Sequence, residues 1–147
     1  MTKIYLDMNI YNRPFDDQTQ VRIRLETIAI FSVLQRIKEG EFSLLWSFMI
    51  DYENSLNPYN EVRQEIEVAS SLANEKIVPD DFIVAKARQF EAIGIRPRDA
   101  IHLACALKGE AEFFLTCDNK LIKKASELGI SLKIMNPLKF IEDLEVS

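Results

Sequence analysis

Four stretches of this chain set an acid beside a short hydrophobic segment. They are Ile4-Tyr5-Leu6-Asp7, Leu44-Leu45-Trp46 followed by Asp51 and Glu53, Asp99 ahead of Ala100-Ile101-His102-Leu103-Ala104, and Phe113-Phe114-Leu115-Thr116-Cys117-Asp118. Carboxylates gathered at one place repel and raise one another's pKa unless a cation neutralises them. A ligand set made of carboxylate oxygens favours a hard divalent ion such as Mg2+ or Mn2+. Such an ion activates water and stabilises the attacking and leaving oxygens of a phosphodiester. Other chemistries have less support. His102 is the only histidine, so a multi-histidine zinc site is excluded, and no Ser-His-Asp or Cys-His set suggests itself. Four glycines form no phosphate-cradling loop.

Each residue also has a plainer reading. Asp7 could simply turn the chain by bonding backbone N–H groups. Asp118 precedes a helix and suits an N-cap, although Asn119 or Thr116 would serve equally well. Asp99 falls in a first helical turn, where its charge complements the macrodipole. The helix beyond it is apolar nearly all round, so an inward acid there needs a cation or several donors. Asp51 and Glu53 lie about 200° apart around one helix and cannot both face one site. His102 shares a face with Asp99 and reads as a hydrogen-bonded packing residue.

The elements that must bring these acids together follow from periodicity. Ile4–Leu6, Phe42–Ser47, Phe113–Thr116 and Leu132–Met135 read as strands. Helices are expected over Val21–Lys38, Phe48–Ser55, Val62–Ala73, from Pro79-Asp80-Asp81 to about Ile93, Pro97–Leu107, Leu121–Leu128 (closed by Gly129) and Leu138–Leu144, with a proline-broken loop at Asn12–Asp17. Strands separated by helices imply one α/β domain over residues 1–147: a mainly parallel sheet of four or five strands between two helical layers. The carboxyl ends of such strands line a ligand crevice, which is where the acids fall. The helix over Val21–Lys38 carries an unusually wide apolar stripe, Leu25, Ile28, Ile30, Phe31, Val33, Leu34 and Ile37. The preferred reading is a core helix; the other is a face that meets a partner.

At 147 residues, 48% hydrophobic and 28% charged, the chain is long enough for one well-buried core. No apolar run reaches the length of a membrane span, and no secretory leader is expected. Cys105 and Cys117 have neither zinc nor disulfide-framework spacing, which points to buried thiols and a cytoplasmic setting. The formal net charge of −5 argues against coating nucleic acid by counterion release. Four clustered carboxylates would account for most of that excess, and bound cations would reverse the local field. Net charge therefore does not decide the partner.

Four of these motifs, in order along nearly the whole chain, resemble the PIN-domain ribonucleases, including VapC-type toxins. They are Tyr5-Leu6-Asp7-Met8-Asn9, Ser47 with Glu53 six residues on, Arg98-Asp99-Ala100-Ile101-His102-Leu103-Ala104, and Leu115-Thr116-Cys117-Asp118. The resemblance implies a PIN-like three-layer sandwich and selects Glu53 over Asp51. It implies a catalytic, metal-binding quartet of Asp7, Glu53, Asp99 and Asp118 for Mg2+ or Mn2+. Asn9 and Thr116 occupy positions where the family has small polar residues that orient the acids. Met8-Asn9 departs from the family's commoner opening, and the loop with Asp16 and Asp17 is longer and more acidic than usual. Those two acids read as solvated loop residues or outer partners of the metal. The implied activity is endoribonuclease cleavage of RNA, with a homodimer and a small antitoxin as expected partners. Arg13, Arg96 and Arg98 are candidate phosphate contacts, or else exposed solubilising charge. Two alternatives remain: a metal-free PIN-like binding module, and a haloacid-dehalogenase-type phosphotransferase, which would want an acid at Asn9.

Overall fold

The computed structural model describes residues 1–146. Five parallel strands, β1 (Lys3–Leu6), β2 (Ser43–Ser47), β3 (Glu75–Ile77), β4 (Phe113–Leu115) and β5 (Lys133–Met135), form one sheet in the order β3-β2-β1-β4-β5. Ile4, Tyr5 and Leu6 are consecutive and all buried. Successive strand residues point to opposite faces, so both faces at β1 are covered. On one face Tyr5 stacks on Phe114 at 5.3 Å. On the other, Phe113 meets Phe140 of the closing helix at 4.9 Å.

Among the described residues eight α-helices connect and cover the strands: α1 (Met8–Asn12), α2 (Val21–Lys38), α3 (Phe48–Ser55), α4 (Asn60–Ala69), α5 (Asp81–Ala92), α6 (Pro97–Lys108), α7 (Asn119–Ala125) and α8 (Pro137–Glu145). Pairs α2 with α8, α5 with α6 and α3 with α4 pack together. The order reverses at β1, flanked by β2 on one side and β4 on the other. In parallel sheets the crevice opens beside such a reversal, outside the carboxyl ends of the strands.

The structure departs locally from the expected elements. Strand β3 is a fifth strand within the stretch between the third helix and Pro79; its residues carry no apolar period, and pairing with β2 alone makes it a strand. The helix expected to reach Ala73 stops at Ala69 and passes through a 3-10 turn, Ser70–Leu72. One turn of helix, α1, follows Asp7 directly, and Arg13–Phe15 of the expected loop is 3-10 helix. Helix α7 ends at Ala125, so Gly129, at φ +65°, closes the turn beyond it and not the helix itself. Gly109 is favoured for a different reason: a Cβ there would lie 2.5 Å from Cδ1 of the buried Leu45, which would have to shift, where α6 passes over the sheet. Both cysteines are buried and unbridged, and burial pushes the Cys105 thiol to about 12 and that of Cys117 to about 11.

The stripe on α2 divides. Ile30, Val33 and Ile37 enter the core, while Leu25, Ile28 and Phe31 stay 45%, 61% and 57% exposed. The core reading accounts for half of the stripe and leaves an uncovered apolar face.

Candidate active site

Asp7 ends β1, its N–H still donating to Leu115 O at 3.0 Å. Its carboxylate is buried, and Oδ1 accepts from the Met8 N–H at 2.7 Å, capping α1. Oδ2 accepts from the Thr116 hydroxyl at 2.8 Å and the Asn9 amide at 3.2 Å. Asn9 also donates to Thr116 Oγ1 at 3.0 Å and accepts from the Cys117 N–H at 3.0 Å. Asn9 and Thr116 therefore join the ends of β1 and β4 and hold the Asp7 carboxylate between them.

Asp118 follows β4. Its Oδ1 caps α7 by accepting from the Lys120 and Leu121 N–H groups, and its Oδ2 lies 3.7 Å from Arg96. Capping and facing the site use different oxygens of one carboxylate. Asp99 sits in the first turn of α6, with Oδ2 3.9 Å from the same Arg96. Glu53, on the last turn of α3, turns one oxygen to His102 Nε2 and the other to Arg98 at 3.8 Å. Asp51 points elsewhere, accepting from Trp46 Nε1 at 2.8 Å and pairing with Lys76 at 2.7 Å. Of the two acids on this helix, Glu53 shares a partner with Asp7 and Asp51 does not.

Behind the acids lies a buried polar chain. His102 Nδ1 is 2.6 Å from the Tyr5 hydroxyl, and that hydroxyl is 2.7 Å from Ser47 Oγ. Ser47 caps α3, accepting from Met49 and Ile50 N–H. His102 Nε2 also lies 3.7 Å from Asp7 Oδ1, so the imidazole touches both acids. Sequence reading placed Tyr5 in the core and gave it no polar role. The one available signal was a hydroxyl-bearing aromatic in a fully buried strand, where a partner is required.

Electrostatics distinguishes the acids. Burial, opposed by His102, Thr116 and the Met8 N–H, holds the Asp7 carboxyl above its ordinary value. Asp99 is pushed up to about 6, first by burial, then by the charges of Asp7 and Asp118. For His102 burial works downward, yet the Glu53 hydrogen bond and the charges of Asp7, Glu53 and Asp99 outweigh it and raise the pKa. The acids thus feel one another across the strand ends. All four offer oxygen, the donor chemistry of a hard divalent ion. Their charges are met here by Arg96, Arg98 and His102, and among the described residues no three such side chains stand at metal-ligand spacing.

The three arginines separate. Arg96 and Arg98 are exposed at the mouth of the site, and Arg98 also lies over the Tyr52 ring at 5.9 Å. Arg13 is turned inward instead, paired with buried Glu26 at 3.4 Å and with Asp16 at 3.3 Å. Asp17 accepts from Thr19 and lies in the surface turn, so both loop acids are engaged locally.

Comparison with curated proteins gives no match. Among solved structures, FitAcB from Neisseria gonorrhoeae superposes with a TM-score of 0.62 at 16% identity, over 91% of this chain and 97% of that one. VapBC2 from Rickettsia felis, bound to a DNA fragment from its promoter, superposes with a TM-score of 0.63 at 14% identity, over 92% and 98%. At these identities the likeness is one of fold. The PIN domain family model matches residues 4–127, a span that contains all four acids and the sheet reversal that gathers them, and the chain belongs to the PIN domain family.

Proposed function

We propose that this protein is a Mg2+- or Mn2+-dependent endoribonuclease. The observation that carries the reading is the convergence of acids at the strand ends, where burial and the charges of Asp7 and Asp118 raise Asp99 to about 6. Acids crowded together at that cost suit cation binding. Asp7, Glu53, Asp99 and Asp118 would hold the ion, which supplies activation of water and charge neutralisation at the phosphodiester. Asn9 and Thr116 fix the Asp7 carboxylate. Arg96 and Arg98, once released from the acids, would meet phosphate oxygens. A cleft of about 420 Å³ beside Glu53 and Arg98, lined also by Asn12 and Tyr59, gives a single strand room to approach.

Cleavage of a mixed single-stranded RNA in chelator, in Mg2+ and in Mn2+ tests the reading, with Asp7→Asn and Asp99→Asn alongside. Metal-dependent cleavage lost in both variants is expected; unchanged cleavage in both removes the assignment. The non-catalytic module would instead bind no Mn2+ at millimolar concentration. The phosphotransferase reading is set aside by the family, and its required second acid is here the amide of Asn9.

The solved structures of similar fold include FitAcB and VapBC2, the latter bound to a DNA fragment from their promoter. We extend that context to this chain as a cytoplasmic toxin with a small antitoxin and a homodimeric state. Among the described residues no helix is long and apolar enough to cross a membrane. The exposed face of α2 (Leu25, Ile28, Phe31) borders a groove of about 410 Å³ lined by Tyr11, Leu34, Ile66 and Val68. A contiguous apolar surface of that kind suits a partner.

A further inference from the structure

His102 is buried in the middle of α6, one turn beyond Asp99, and both its nitrogens are engaged. A histidine that merely filled space would need one partner to satisfy its N–H. This one reaches forward to Glu53 and Asp7 and backward to Tyr5 and Ser47, and so bridges β1, β2, α3 and α6. The donors can be ordered. An ionised carboxylate only accepts, so Nε2 must carry the proton it shares with Glu53. In the neutral ring Tyr5 then donates to Nδ1 and Ser47 donates to the Tyr5 oxygen. In the charged ring Nδ1 donates to Tyr5 and Tyr5 donates to Ser47. Either way Nε2–H points at Glu53.

Glu53 gains most from such a fixture. Asp7 and Asp118 are held by backbone N–H groups through their caps, and Asp99 is close to its own helix start. The Glu53 carboxylate has a longer side chain and receives no backbone donor among the described residues. Its contacts are His102 and the exposed Arg98. We propose that His102 is the positioning residue of Glu53: its Nε2–H holds that carboxylate beside Asp7, and Tyr5 with Ser47 fixes the orientation of the imidazole ring. The consequence for metal affinity rests on the metal-centre reading above; the positioning itself does not.

The test therefore has a metal-free arm. In 15N-labelled protein with chelator, the His102 Nε2 proton should be visible, slow to exchange and shifted downfield, and Glu53→Gln should move it. It should persist in saturating Mg2+. An Nε2 without a proton, a signal blind to Glu53→Gln, or a proton lost on adding Mg2+ (a direct ligand) overturns the proposal. The second arm measures Mn2+ binding by calorimetry. Losing an outer-shell donor costs about 10–100-fold in affinity, expected for His102→Leu, whereas His102→Gln, whose amide retains a donor, should recover most of it. Tyr5→Phe should show a smaller loss with the fold intact. Mn2+ affinity untouched by His102→Leu but lost in Asp7→Asn overturns the role of His102 and leaves the metal centre standing. A wild type that shows the Nε2 signal but binds no Mn2+ removes the metal centre and leaves the positioning role standing.

Discussion

Two buried-acid regions of this protein are built on opposite plans. On α2, Glu26 is fully buried, yet it has Arg13 at 3.4 Å, Arg22 at 3.3 Å and the Asn136 amide at 2.5 Å. One acid there faces two cations and a neutral donor. The helix and the turn before α8 are tied together by it, and Arg22 also donates to Cys117 O at 2.9 Å. At the strand ends the ratio is reversed. Asp7, Glu53, Asp99 and Asp118 share Arg96, Arg98 and His102, and both arginines are exposed. A compensated acid holds a fold together; a surplus of acid at a crevice is, under the function proposed above, an arrangement that a divalent ion would complete.

The contrast is open to test by removing acids from each side. The largest effect is expected for Asp7→Asn, which should lower metal-dependent RNA cleavage by about 100-fold or more, measured under single turnover, while folding changes little. Glu26→Gln should do the reverse. It strips charge from a buried cluster and leaves Arg13 facing a neutral amide, at a cost of about 3 kcal/mol in denaturant unfolding, with Mn2+ affinity of the folded protein unchanged.

A smaller effect of opposite sign is expected for Asp99→Asn in chelator. The Asp99 pKa is about 6 in the folded protein, above its ordinary value, so between those two points the native state binds more protons than the unfolded one. Stability then falls as pH rises through that window. The neutral amide avoids the loss, so the variant should be more stable at pH 7.5 by about 1–2 kcal/mol. That advantage should fade as pH drops below 6 and vanish below about 4, which paired denaturant curves across pH would show. Asp51→Asn should do least: its bond to Trp46 survives in an amide, only an exposed pair with Lys76 is lost, and stability should move by less than about 0.5 kcal/mol. A change in cleavage there would blur the distinction between the two acids of α3.

Much of this arrangement is legible in the sequence, for physical reasons. A hydrophobic run ending in an acid marks Asp7 and Asp118 because a buried parallel strand has no polar residues until it surfaces. Asp99 stands out because the helix behind it is apolar on nearly every side. What the sequence hides depends on tertiary pairing. Glu75-Lys76-Ile77 becomes a strand only because the edge of β2 is free to accept it. Spacing excludes Asp51 and Glu53 from sharing a site but does not choose between them; family resemblance chose Glu53, and the Trp46 and Lys76 contacts of Asp51 supply the physical reason. Arg13 has the chemistry of a phosphate contact and sits against Glu26, twelve residues of intervening loop and helix having hidden that pairing. The His102–Tyr5–Ser47 chain spans three separate elements, so no local spacing announces it.

The most direct test of the central claim is thermal unfolding at pH 7.5 with and without millimolar Mn2+, on the wild type and Asp99→Asn. A ligand that binds only the folded state raises its melting temperature. Mn2+ is expected to stabilise the wild type, while the variant is more stable in chelator and gains little from the metal. Mn2+ that leaves the wild type unmoved, or raises both proteins equally, would contradict the claim.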